Sequence, residues 1–143
     1  MKVIIQRVKE AKVVVAGEVV GAIGRGILVF LGVEKGDSPS NIEPLVKKIT
    51  HLRMFPSPQG KMDLANFEVN GEYLIVSQFT LAADLQKGNR PSFDNAAPPD
   101  EAEVLYEQFV EQMKKGPCRV ATGKFRAMMD VVLINDGPVT FIL

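Results

Sequence analysis

Ile27 to Val33 reads ILVFLGV, seven residues without one polar or charged side chain. A run of that length and composition suits a strand buried on both faces, so the fold has to be arranged around it. Ahead of it, residues 2–15 read as a strand, with Val13 and Val15 in a β-branched run. Ala16-Gly17-Glu18 marks a turn, Val19 to Ile23 returns as a second strand, and Gly24-Arg25-Gly26 turns again. Beyond it, Gly36-Asp37-Ser38-Pro39 breaks the pattern, and Ser38 or Ser40 can cap a helix. Ile42, Leu45, Val46, Ile49 and Leu52 then keep the three-four spacing of an amphipathic helix. Pro44 is tolerable there only near the first turn.

Residues 59–71 read as irregular or strand-like, and Glu72 to Leu81, EYLIVSQFTL, as a strong strand. It runs into a loop, 82–98, rich in Gly, Pro, Asn and Asp. A second helix follows, with Asp100 as its expected cap and Ala102, Leu105, Tyr106, Phe109 and Met113 on one core-packing stripe. Gly116-Pro117 stops it. Residues 118–125, 128–135 and 138–143 read as strands, with a turn expected at Asn135-Asp136-Gly137. The fold class is α+β, with largely antiparallel sheets and two main helices in a single domain, 1–143.

A chain of 143 residues buries a real core without covalent staples. Its one cysteine, Cys118, excludes an internal disulfide and fits a reducing compartment. One His and one Cys cannot build a zinc site from the usual soft ligands, and no Asp/Glu cluster has metal-ligand spacing, so neither metal nor cofactor is expected. The apolar run at the N-terminus is too short and too often charged for a signal peptide or a membrane span. A soluble cytoplasmic protein with no membrane partner is the expectation. Lys plus Arg equals Asp plus Glu, at 17 each, which removes a global basic field for nucleic acid. The distribution is uneven: Lys114, Lys115, Arg119, Lys124 and Arg126 follow one another with no acidic residue between, after an acidic stretch from Asp100 to Glu111. That cluster is either a solvated helix face beside an ordinary loop or a local phosphate-binding patch.

An ordinary catalytic set is missing. His51, the only imidazole, sits in the first helical pattern with no Ser or Cys partner by spacing, and reads as structural or solvent-facing. Cys118 precedes a basic residue that would lower its pKa, yet small buried cysteines are common. Gly24-x-Gly26 opens no helix, so a dinucleotide site fails its context. Two stretches stay open. Ser77-Gln78-Phe79-Thr80 is either a strand turning polar as it reaches solvent or a set of binding groups shown at a strand end. Gly137-Pro138 is either a turn before an edge strand or a peptide with a task of its own, since proline cannot donate to a sheet ladder.

Here the residues carry a resemblance. SQFTLAAD at 77–84, RPSF at 90–93, TGKFRAMM at 122–129 and NDGPVTF at 135–141 resemble the motifs of the D-aminoacyl-tRNA deacylase (D-tyrosyl-tRNA deacylase) family. So do IIQRVKEAKVVV at 4–15 and GEVVGAIGRGILVFLGV at 17–33, in the expected order and without a large gap. The resemblance implies a barrel-like core and hydrolysis of D-aminoacyl-tRNA in translation proofreading. It implies a homodimer in which the Gly137-Pro138 peptide is cis and reaches the partner's active site. There it would reject L-esters by main-chain obstruction, which discriminates more strongly than added attraction. Glycyl-tRNA, with no side chain to reject, would also be cleaved. Ser77, Gln78, Phe79 and Thr80 would surround the aminoacyl group and the terminal adenosine. The preferred chemistry uses backbone N–H groups near Phe79 and Thr80 as an oxyanion hole, with water attacking beside the tRNA 2′-hydroxyl. Thr80 as a nucleophile is the alternative, without an evident base. Phe125 and Met129 would form the pocket wall, with core packing equally open for Met129, and Arg7 would brace the Gly-Pro loop. Two other classes compete: a non-catalytic module offering the 114–126 patch to RNA, and a hydrolase that uses Cys118 or Thr80 covalently.

Overall fold

The computed structural model describes residues 1–86 and 88–143. Its spine is β1, Lys2–Val15, which pairs along one edge with β8, Asp130–Ile142. Its other edge pairs first with β3, Gly26–Gly32, and then with β2, Glu18–Ile23. All three pairings are antiparallel. A bulge opposes Val8 and Glu10 to Asn135 and Ile134, one residue too many on β1. It flips the side-chain alternation. Val3 and Ile5 therefore enter one buried cluster, and Val8, Ala11 and Val13 another.

β3 is buried along almost its whole length, as its composition requires: Ile27, Val29 and Leu31 face the first cluster and Leu28 the second. It pairs in parallel with β6, Glu72–Ser77, which pairs in parallel with the short β7, Val120–Thr122. Both parallel steps need a crossover, and each carries a helix. α1, Ile42–His51, lies between β3 and β6; α2, Pro99–Lys114, lies between β6 and β7. The sheet curls until β2 meets β7. A Cβ on Gly21 would lie 2.2 Å from the Thr122 carbonyl oxygen, so glycine is what lets the barrel-like sheet close. The strands alone supply the second cluster, inside the curl, while α1 and α2 cover the first from outside. Tyr106 on α2 fastens this cover by donating its hydroxyl to the Ile75 carbonyl at 2.9 Å. A separate two-stranded ribbon joins β4, Arg53–Pro56, to β5, Met62–Ala65.

Three local expectations are adjusted. Ser38 does cap a helix, the 3-10 turn over Pro39–Asn41 that leads into α1, while Asn41 holds the cap position of α1 itself and Pro44 falls in its first turn. Asp100 is not the cap of α2. Pro98 is, Pro99 takes the first helical position, and Asp100 and Glu101 sit in the first turn, where carboxylates suit the helix dipole. The turn at 135–137 is not a hairpin either. β8 is one 13-residue strand that continues through Gly137-Pro138. Asn135 pairs with Val8 and Thr140 with Gln6, so Asp136 to Val139 bulge out opposite Arg7 alone. A partner strand as long as β1 holds both halves in one line, and a proline in the bulge owes no N–H to the ladder. Among the described residues, no helix is long and apolar enough to cross a membrane.

Candidate active site

Parallel pairing brings two of the quoted motifs to one edge. Ile75 pairs with Thr122, and the Gly123 N–H donates to the Ile75 carbonyl at 2.9 Å. β6 thus ends at Ser77 beside the segment that leaves β7 through Gly123 and Lys124. Loops gather at such strand ends, where binding groups are commonly placed. Gln78 donates its N–H to the Leu31 carbonyl at 2.8 Å, and Phe79–Ala82 then form a 3-10 turn. This turn packs on Gly32, where a Cβ would lie 2.9 Å from both the Gln78 carbonyl oxygen and the Leu81 Cβ. Gly32 was not singled out from sequence, although a glycine inside an apolar run is a signal for close backbone approach.

As the first residues of the turn, Phe79 and Thr80 find no intrahelical acceptor for their N–H groups. Among the described residues, no other acceptor meets them. The Gln78 side-chain amide donates to Thr80 Oγ1 at 2.6 Å, and among the described residues nothing accepts the Thr80 hydroxyl proton. The Phe79 ring is 58% exposed and tilts against Phe93, which is 40% exposed, with centroids 5.0 Å apart. Phe125 is half-buried and tilts against Tyr106, with ring centroids 5.5 Å apart. It borders an open groove of about 530 Å³ with Tyr106, Val110, Thr122 and Lys124. Met129 turns the other way: it packs on Gly123 and against the cluster inside the barrel.

Gly137-Pro138 lies elsewhere. The peptide is cis, and Gly137 has φ +130°, a backbone setting that suits glycine. Arg7, nearly buried, holds the bulge as expected. Its Nε donates to the Asp136 carbonyl at 3.0 Å and pairs with Asp136 Oδ2 at 3.2 Å, while Nη1 donates to the Met54 carbonyl at 2.6 Å. The bulge is level with Ile27 and Tyr73, whereas the Ser77 end is level with Leu31 and Val3. Four residues along the strands and three strand spacings across separate them, roughly 13 Å by 14 Å over the sheet.

The other candidates fall away from this edge. His51 Nδ1 meets the Lys47 carbonyl at 2.9 Å and the ring lies edge-on to Phe67. Burial pushes the Cys118 thiol up rather than down, against the activation its basic neighbour suggested. The 114–126 cations are not one free patch. Lys114 pairs with Glu111, Arg119 with Glu72, and Arg126 with Asp100 and Glu103. Among the described residues, Lys115 and Lys124 have no ion-pair partner.

A family described as D-Tyr-tRNA(Tyr) deacylase matches residues 4–143. The chain belongs to that family. It is 59% identical to a D-aminoacyl-tRNA deacylase of Geobacter metallireducens over its whole length and 95% of the relative's. It is 53% identical to the D-aminoacyl-tRNA deacylase of Thermotoga petrophila, again over its whole length and 96% of the relative's. The solved structure of a protein named c-Myc DNA unwinding element binding protein superposes with a TM-score of 0.94 at 44% identity, covering all of this chain and 97% of that one. Membership in the deacylase family carries the coarse assignment: an enzyme that removes an aminoacyl group from tRNA by ester hydrolysis.

Proposed function

We propose that residues 1–143 form one D-aminoacyl-tRNA deacylase domain that cleaves D-aminoacyl and glycyl esters at the tRNA 3′ end and spares L-esters. The observation that carries this reading is the pair of N–H groups on Phe79 and Thr80 at the mouth of β6, without a partner among the described residues. The ester carbonyl oxygen accepts from both. As water attacks the carbonyl carbon, charge builds on that oxygen, and donors fixed by the fold need no rearrangement to meet it. The C–O bond to the ribose 3′ oxygen breaks, and the proton lost by water reaches that oxygen through the neighbouring 2′-hydroxyl. Thr80 is a positioning group here, because its hydroxyl accepts from Gln78 and meets no base among the described residues. Ser77, Gln78 and Phe125 border the acyl and adenosine ends, and Met129 supports the wall from inside through Gly123.

Selectivity comes from the bulge at Gly137 and Pro138. It lies too far over the sheet to serve the Ser77–Thr80 edge of its own subunit, so in this reading it serves the partner's in a homodimer. The outer side of β8 supports a covering partner: Val132, Ile134 and Ile142 are exposed along an edge strand. Main-chain atoms of the bulge would occupy the space an L side chain needs, and leave room for hydrogen. A substrate made during translation places the enzyme in the cytoplasm. The test is turnover of matched D-, L- and glycyl-tRNA by the purified protein. D- and glycyl esters should disappear and the L-ester should persist; comparable cleavage of the L-ester, or binding without turnover, overturns the reading.

A further inference from the structure

An exposed aromatic pair beside these amide donors has no task in that chemistry. Phe79 contributes its N–H to the ester, but its ring points to solvent, against the less exposed ring of Phe93. Apolar rings normally collapse into a core. Phe93 is kept out by backbone pins on both sides. Asp84 and Ser92 exchange N–H···O bonds at 2.8 and 3.0 Å. Just beyond, Lys35 donates to the Asn95 carbonyl and Ala97 to the Val33 carbonyl. The loop therefore presents the ring already in place, which removes an ordering cost on binding.

We propose that Phe79 and Phe93 form a stacking platform for the unpaired base one nucleotide 5′ of the esterified terminal adenosine. This rests on the deacylase reading and extends it from the ester to the strand that carries it. Two features select an unpaired nucleotide as occupant. The first is continuity: the ester sits at the amide of the residue whose ring forms half of the platform. The second is charge. On the other flank, the groove carries Lys124 on its β7 rim, but its α2 wall is Glu103, Glu107 and Glu111 with Lys114 already paired to Glu111, so a phosphate chain can pass the rim and not run along the wall. In sequence the loop balances Lys87 and Arg90 against Asp84 and Asp94. It neither attracts nor repels a polyanion strongly, so stacking has to supply the hold. Base-on-aromatic stacking is tolerant of sequence, as a surface that meets many tRNAs requires.

The experiment compares two substrates, D-tyrosyl-tRNA and the D-tyrosyl ester of adenosine alone, with the wild type, Phe93→Leu and Phe93→Tyr. Phe93→Leu should lower kcat/KM on the tRNA about tenfold, chiefly through KM, and leave the adenosine ester unaffected. Phe93→Tyr should restore the tRNA value. Equal loss on both substrates, no loss on either, or failure of Phe93→Tyr to restore overturns the platform. Loss that accompanies a change of oligomeric state in size-exclusion chromatography assigns the pair to a subunit interface instead, and overturns it too. Wild-type protein that cleaves neither substrate brings down the deacylase reading before any variant is made.

Discussion

The Ser77 end of β6 and the Asp136–Val139 bulge of β8 solve opposite problems with the same material. In the proposed reaction both put main-chain atoms where the substrate meets them. The first does it by stopping a strand: a 3-10 turn begins, and the opening N–H groups have no partner among the described residues. The second does it without stopping, because β8 keeps its pairing with β1 on both sides and lets four residues swell out opposite Arg7. In that proposal the strand end offers donors, which attract a developing negative charge, and the bulge offers bulk, which excludes. Attraction tolerates small side-chain changes nearby, since the donors belong to the backbone. Exclusion depends on position, so the bulge should be the less forgiving of the two.

Gly137→Ala tests that asymmetry hardest. An added Cβ would lie 2.9 Å from Val139 Cγ2 and 3.1 Å from Arg7 Nη2, at a φ of +130° that side chains rarely adopt. The bulge has to shift. A displacement of about 1 Å can cost roughly 100-fold in rate, and we expect a loss of that order in D-ester turnover, with about 1–3 kcal/mol of stability lost to backbone strain. Kinetics and thermal unfolding of the same preparation check both. Full D-ester turnover in a folded variant breaks the claim that the bulge shapes the site.

Arg7→Met comes next. The variant keeps an apolar stem but removes the cation that holds Asp136 and caps the Met54 carbonyl. Loss of one partner from a largely buried pair should cost about 2–4 kcal/mol. The bulge should loosen rather than vanish, so the D-to-L ratio should fall by about tenfold while D-ester cleavage survives. Measuring L-ester cleavage separates this from general damage: a fall in both rates with the ratio intact would leave Arg7 a purely structural residue.

How much of this contrast was legible in the sequence follows from the range of the interactions. The strand and its polar exit were legible, but not the stop itself: the sequence reads as strand to Leu81, whereas β6 ends at Ser77 and Phe79–Ala82 fold into a 3-10 turn. An apolar run that turns polar before a loop is a local pattern, and local chemistry places SQFT at an edge. The bulge was misread as a hairpin because Asn-Asp-Gly-Pro carries local turn signals, while the instruction to continue comes from β1, more than a hundred residues earlier. Arg7 and Asp136 are 129 positions apart, and no periodicity connects them. The basic cluster at 114–126 looked free for the same reason. Its partners lie outside it in sequence, with Asp100 26 positions before Arg126 and Glu72 47 before Arg119. Neither parallel pairing of β6 was visible, because crossovers leave no mark in alternation.

Thr80→Ala sharpens the comparison from the other side. If the donors are backbone N–H groups, the strand end keeps them when the hydroxyl goes. Only the bond from Gln78 is lost. Turnover should stay within about tenfold of wild type, less than the removal of an oxyanion donor costs. A fall to the uncatalysed rate, with tRNA binding preserved, would give the hydroxyl a chemical role and make this end as unforgiving as the bulge.

The smallest effect should come from charge. Lys124 borders the groove beside the Ser77 edge and has no ion-pair partner among the described residues, whereas Lys114 is already paired with Glu111. A cation that neutralises one phosphate adds about one to the slope of log affinity against log salt. Lys124→Gln should therefore weaken tRNA binding a few-fold at low salt and flatten that slope by about one. Lys114→Gln should do neither, because its charge is spent on a carboxylate in the free protein. Both variants should keep their preference for the D-ester, since neither residue touches the bulge. Equal slopes in the two variants across a salt series would mean that the tRNA backbone runs elsewhere, and that the strand end draws its substrate in without help from Lys124.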